Sequence, residues 1–376
     1  CSAGYFCLSG AYTAAGQGGP APTCLPAAGG VCPTGHYCPS GTATPHMCPP
    51  GTFNPSPGAT SLSQCVACEG GKACLSHGLS SPTGPCANGY YCVSGSNTFT
   101  PTDGVMGNIC PSGTSCGAGS ASPHICDPGS YSPLPGQASC LICPAGYFCL
   151  AAAVNYSSNA CPPGYYSPNG TVSAHQYPCP PGTYRSLPLG INAASCLSCP
   201  GGQYCAGQAQ TAVSGNCSGG YYCTTRVSSP TPAAGGSDGV GGPCEAGTFC
   251  PSPSVAPSNC TAGRYCAADR LATTSGPCAA SYYCSGNAQV PQPTDGVTGN
   301  ICPAGHYCPE GSGAPIACAA GTFSGAAGNH QVGQCLNCTG GSYCATAGLT
   351  QVTGPCLPGY YCQGGDIVPT AKVCPT

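Results

Sequence analysis

Apolar residues along the 376-residue chain follow no 3.6-residue period over any sustained stretch. Glycine and proline recur too densely to leave windows in which a helix would nucleate. What repeats is short: C-x-x-G-x-[YF]-C, or a near variant, occurs fourteen times between Cys1/Cys7 and Cys356/Cys362. A second element runs C-x-P-G-[TSY]-[FY], then about a dozen small residues, then C-x-x-C, as from Cys48 to Cys65 and Cys68. The glycine permits a tight turn with positive φ, and the aromatic beside the second cysteine can pack on a disulfide or on glycine backbone. The pattern predicts small disulfide-rich repeats: short β-hairpins and turns with almost no helix. Modules too small to bury a face must stack on their neighbours, so an elongated rod is expected.

The spacing is quantised. Eleven residues separate Cys74 from Cys86, Cys205 from Cys217 and Cys344 from Cys356; nine separate Cys38 from Cys48 and Cys308 from Cys318. The long element recurs at Cys126, Cys179 and Cys318, while Cys161 begins a copy that reaches Cys179 without the C-x-x-C. At a larger scale Pro101-Thr-Asp-Gly-Val matches Pro293-Thr-Asp-Gly-Val, and the cysteines from Cys68 to Cys126 recur 192 residues on, from Cys260 to Cys318. These breaks divide the chain into repeats 1–67, a block 68–142, long-loop repeats 143–198, repeats 199–259, the duplicated block 260–337 and a partial block 338–376. The chain opens on a cysteine motif, and Cys374-Pro375-Thr376 reads as the start of another copy. The expectation is a stretch of a longer repetitive chain in which Cys1 or Cys374 lacks its partner, 39 being odd.

Composition sharpens this picture. Leu, Ile, Val and Phe fill 44 positions, about 12 % of the chain, below the roughly 20 % at which an apolar core becomes hard to build. Disorder would call for high net charge, yet there are six Lys/Arg, nine Asp/Glu and a net charge of −3. The 39 cysteines point instead to covalent staples and to an extracellular or cell-surface location, where disulfides persist. The basic residues stand singly, so no patch suits nucleic acid. No window of 18 apolar residues suits a membrane span.

The runs Cys48-Pro-Pro-Gly-Thr-Phe, Cys179-Pro-Pro-Gly-Thr-Tyr and Cys143-Pro-Ala-Gly-Tyr-Phe-Cys149 resemble the cysteine-rich repeats of ephrin-receptor-like ectodomains and, more distantly, tumour-necrosis-factor-receptor modules. The resemblance covers nearly the whole chain and implies an extracellular disulfide ladder. Carried over, its pairing joins Cys48 to Cys65, Cys126 to Cys140, Cys179 to Cys196 and Cys318 to Cys335. Within the doublets two schemes stay open: each C-x5-C closes on itself, or doublets interleave, as Cys68 with Cys86 and Cys74 with Cys92.

Little in the chain suggests catalysis or a cofactor. Successive C-x-x-C pairs lie too far apart for a zinc ribbon. The seven histidines are scattered, with His36 and His306 in a slot that elsewhere holds Tyr, Thr, Arg, Lys or Gln. The acids are dispersed where calcium needs six to eight converging oxygens, and Asp103 and Asp295 read as turn residues. No catalytic residue and no metal ligand are expected. Asn155, Asn169, Asn216, Asn259 and Asn337 are N-x-[ST] acceptors, so covalent N-linked glycans are expected. Ser94–Pro101 and Ser228–Ala233 suit O-linked sugar. The composition as a whole suits a non-enzymatic structural protein, a glycosylated subunit of a filament, appendage or coat that self-associates through its repeats. The alternative is the stalk or ligand-binding ectodomain of a receptor or adhesion protein.

Overall fold

A computed structural model describes residues 1–8, 29–233 and 241–375. The chain separates into two compact units, one of residues Cys1–Tyr177 and Leu187–Ser195, the other of Pro178–Ser186 and Cys196–Thr376. Each is a series of small modules, and the described residues form seventeen separate two-stranded antiparallel sheets. The helical content described is three single 3₁₀ turns, Leu62–Gln64, Ala193–Ser195 and Val332–Gln334, each ending just before a long-loop cysteine.

A module begins at a head cysteine, and these heads stand 16 to 31 residues apart. In the module from Cys48, the Thr52 amide donates to Pro49 O at 3.1 Å, closing a turn with Pro50 and Gly51 at its centre. Gly51 has φ +84°, the conformation that the third residue of a type II turn requires. The Thr52 hydroxyl also donates to Pro49 O, at 2.7 Å. The chain leaves the turn as the strand Thr52–Phe53, which pairs with Val66–Ala67. The next head cysteine, Cys68, then donates its amide to Gly51 O at 2.8 Å.

Within each unit, backbone bonds also join one module to the next. The Gly51 amide donates to Cys74 O (2.8 Å), Cys74 to Ser96 O (2.9 Å), and Gly78 to Cys48 O (2.9 Å). The second unit repeats the scheme: Gly263 to Cys284 O (2.9 Å), Cys284 to Ser312 O (3.0 Å) and Gly311 to Cys278 O (2.8 Å). The donors are a turn glycine, the sixth residue after a head cysteine, and a loop residue with positive φ. Because only main-chain atoms take part, side chains away from the turn glycine can vary without disturbing the junction.

Burial follows the sulfur. Nearly all head cysteines and their doublet partners are fully buried, whereas among the described residues the large apolar side chains buried as deeply are Val227, Pro101 and Pro293. Aromatic rings cover strand glycines, an arrangement that shields backbone a glycine would leave open. A Cβ built on Gly215 would lie 3.3 Å from Tyr204 Cε1, and one on Gly276 would lie 3.2 Å from Tyr265 Cε1. Where the paired residue is Ala73, the ring of Phe99 covers Gly84 instead, at 3.5 Å.

The duplicated blocks also exchange a methyl group across one contact. A Cβ on Gly70 would stand 3.1 Å from Ala121 Cβ; 192 residues later the small residue is Gly313, and its Cβ would stand 3.0 Å from Ala262 Cβ. The contact admits one methyl, from either side.

Most turn glycines are held twice, by φ and by space. A Cβ on Gly35, φ +79°, would lie 2.1 Å from Gly78 O, two modules on. Gly35→Ala is therefore expected to cost about 2 to 5 kcal/mol, from left-handed strain plus overpacking. Ser281 occupies the same place with φ +75°, so Ser281→Gly should gain roughly 0.5 to 1 kcal/mol. Urea midpoints and protease resistance of the two variants check the pair; a Gly35→Ala protein as stable as the parent would contradict the packing described.

Candidate functional site

Eighteen disulfides join the described cysteines, with Cα–Cα separations from 5.6 to 6.3 Å. Cys48 is bonded to Cys65, Cys126 to Cys140, Cys179 to Cys196 and Cys318 to Cys335, spanning 17, 14, 17 and 17 residues. The fourteen doublets each close on themselves, as Cys68–Cys74 and Cys86–Cys92 do, so the interleaved scheme is absent. The turn reverses the chain between the two cysteines of a doublet and brings the sixth residue back beside the head.

Cys1 is not left over, since it is bonded to Cys7. Among the described residues the free thiols are Cys161, which is buried, and Cys374, which is exposed; Cys24 lies outside the described residues. Cys161 heads the one long-loop module with neither possible partner. Ser167 stands at its sixth position, and Gln176 stands three residues before the next head, the place of Cys65, Cys140, Cys196 and Cys335 in the other long loops. Ser167 is 1 % exposed and its Oγ has no hydrogen-bond partner. Gln176 instead accepts the Val172 amide on its Oε1 at 3.0 Å. Ring contacts lie within this module: Tyr165 meets His175 edge-on at 4.8 Å, and Tyr166 stacks on Tyr177 at 5.5 Å. The missing C-x-x-C after Cys161 was the signal in the sequence for this thiol.

All five N-x-[ST] asparagines are exposed. Asn155 and Asn169 lie in loops; the Asn169 Oδ1 accepts the Ala145 amide of the preceding module at 2.7 Å, a role that a glycosylated amide retains. Asn216, Asn259 and Asn337 share one structural position, the last strand residue before a head cysteine. Their middle residues, Cys217, Cys260 and Cys338, are buried and disulfide-bonded.

The polar groups do not converge. Among the described residues no three His, Cys, Asp or Glu side chains gather as metal ligands would. The His36 and His306 Nδ1 atoms sit 3.0 and 3.1 Å from Thr34 O and Ala304 O within their own turns. His46 stacks on Tyr37. Lys72 pairs with Glu69 at 2.9 Å, beside a shallow cleft of about 300 Å³ walled by Gly70, Gly71, Pro82, Gly84 and Pro85.

Asp103 and Asp295 each organise a loop. Asp103 Oδ1 accepts the Met106 and Val105 amides at 2.8 and 2.9 Å. Asp295 Oδ1 accepts the Val297 and Thr298 amides, both at 2.8 Å, and its Oδ2 accepts the Thr298 hydroxyl at 2.7 Å. Donors favour the charged form. The Met106 amide and then that of Val105 hold Asp103 below the ordinary carboxylate value, and the Thr298 hydroxyl followed by the Val297 and Thr298 amides does so for Asp295.

No protein-family model matches this chain, and no curated protein matches it. The fold defines its class directly: a protein of tandem, disulfide-stapled small repeats. No described helix is long and apolar enough to cross a membrane, and disulfides at this density fit an oxidising compartment.

Two outcomes follow. Gln176→Cys should bond to Cys161 across a span close to that of Cys126–Cys140, removing one thiol from the denatured-state titration and adding about 2 to 4 kcal/mol of stability; a rise in titratable thiols would show that the two positions do not meet. The loops should also respond to acid. A carboxyl depressed in the folded state contributes above its ordinary value of 3.8 and ceases to contribute as pH falls through the folded value. The Val105 and Met106 amide proton resonances should therefore hold constant from neutral pH to about 4 and shift together below it. Asp103→Asn, which keeps the acceptor, should abolish that shift; a shift that persists in the variant would assign it to another group.

Proposed function

We propose that this chain is a structural extracellular protein, a glycosylated, disulfide-stapled building unit of a filament, surface appendage or coat. The observation that carries the reading is the junction between modules, where the same three main-chain hydrogen bonds recur in both units whatever side chains surround them. Such a junction extends by adding modules, and it leaves the outer side chains free for sugar and for contact with other chains. Five exposed acceptor asparagines support the sugar. With so few charges, glycans supply the hydration that keeps such a surface dispersed. Identical chains associating head to tail through two different patches form an open filament rather than a closed ring.

The ephrin-receptor-like appearance of the cysteine runs favours a second reading, the stalk or ligand-binding ectodomain of a receptor or adhesion protein, in which the modules act as a spacer. Electron microscopy of native material isolated without reductant separates the two. Uniform filaments whose repeat is labelled by antibody to this chain are expected. Dispersed single molecules anchored to membrane would reject the structural reading. Enzymatic removal of N-glycans from the same material should lower its mass; an unchanged mass would reject the glycosylated state.

A further inference from the structure

The five acceptor asparagines are of two kinds. Asn155 and Asn169 lie in loops of the first unit, with no cysteine among the five residues on either side. Asn216, Asn259 and Asn337 lie in the second unit, each directly before a head cysteine and each paired in a strand, with Gln203, Thr248 and Thr322.

Sugar transfer joins the asparagine Nδ2 to the anomeric carbon of an oligosaccharide. The bond from that carbon to a lipid pyrophosphate breaks, the lipid pyrophosphate leaves, and the amide gives up one proton. The reaction also needs the hydroxyl two residues on, so a transferase must enclose all three residues, whereas successive strand residues face opposite sides. The folded chain denies that access at the strand acceptors. Cys217, Cys260 and Cys338 are at most 1 % exposed, and each is bonded to the sixth residue on. Their amides donate to Gly202 O, Gly247 O and Gly321 O at 2.9 Å. Ser218, Thr261 and Thr339 open the turns, their carbonyls accepting the amides of Tyr221, Arg264 and Ser342 at 3.1, 3.0 and 3.0 Å. The product still fits, because the three asparagines are exposed. Folding therefore admits the sugar but blocks its transfer.

Closure comes early. The second cysteine of each doublet is made six residues after the first, about a second of synthesis at roughly 5–20 residues per second. So short a loop costs little entropy to close. We propose that glycan occupancy at Asn216, Asn259 and Asn337 is set by a race between sugar transfer and closure of Cys217–Cys223, Cys260–Cys266 and Cys338–Cys344. In closure two thiols become one disulfide, and their two electrons and two protons reduce the disulfide of a thiol oxidoreductase to two thiols. The oxidising strength of the compartment thus fixes how much sugar the second unit carries, while Asn155 and Asn169 have no such competitor. This inference rests on the glycosylated reading above and names what regulates it.

The test is translation of the chain, behind a secretion leader, into microsomes with and without dithiothreitol, with occupancy at each asparagine read by glycopeptide mass spectrometry. Without reductant, Asn155 and Asn169 should be filled and the other three sparsely so. Reductant present during translation should raise those three severalfold and leave the first two unchanged. Cys223→Ser keeps the acceptor sequence and removes the competing bond, so without reductant it should raise occupancy at Asn216 alone; transfer precedes folding, so the readout does not require the variant to fold. Equal occupancy at all five in both conditions, a rise at all five, three sites empty even in reductant, or no effect of Cys223→Ser overturns the proposal while the glycosylated reading stands. Sugar at none of the five in either condition overturns both.

Discussion

Everything in this fold depends on two backbones approaching more closely than side chains allow. Most turn glycines stand against the carbonyl of a loop two modules away, at a distance where a Cβ would overlap oxygen: 2.1 Å for Gly35, 2.2 Å for Gly71, 2.3 Å for Gly263. The approach places the glycine amide on the carbonyl of the next module's sixth residue, and that residue's own amide on the loop beyond. Buried main-chain polar groups must be paired, and here neighbouring modules pair them for each other. A module alone would expose those groups to water and bury almost nothing.

Sulfur sets the conformation that this approach requires. With so little aliphatic content, the folded state gains modestly from burial, and the disulfides restrict the unfolded chain instead. A doublet closes the turn whose glycine makes the junction, while the long-loop bond fixes the head by reaching forward to a cysteine three residues before the next head. Asn54, Ser132 and Ser324 then occupy the sixth position without sulfur, each hydrogen-bonded through its side chain. The module at Cys161 has neither bond, and within it Tyr165 meets His175 edge-on and Tyr166 stacks on Tyr177. The exchange of a methyl between the Gly70/Ala121 and Ala262/Gly313 contacts shows how tightly the remaining space is set.

Much of the architecture was legible in the spacing of cysteine, glycine and aromatic residues, because those types act locally. Gly51 and Pro50 announce their own turn, and Phe53 its strand. The closure of each doublet on itself was not legible, because spacing alone is compatible with interleaving; the turn geometry at Gly71, between Cys68 and Cys74, decides it. The junctions were hidden for a different reason, since their donors and acceptors are main-chain atoms that every residue carries. Ala152, Leu189, Arg226 and Arg270 adopt positive φ at loop positions where other modules place glycine, so the loop position has no single residue signature. Of the candidate site residues, the exposed sequons could be found by pattern and Cys374 is free as the odd count implied, whereas the thiol of Cys161 was missed because Gln176 and Ser167 mark it only by not being cysteine.

The central claim, that main-chain bonds between modules hold the fold, is tested most directly by native-state hydrogen exchange. The amides of Gly51, Gly71, Gly113 and Gly263, all buried in their turns, should be as strongly protected as any in their unit, and should lose protection together with the sixth-position amides of Cys74, Cys92, Ser132 and Cys284 that belong to the same junctions. Fast exchange at the turn glycines alongside slow exchange within the hairpins would contradict it, since each hairpin would then be stable by itself and the junctions incidental.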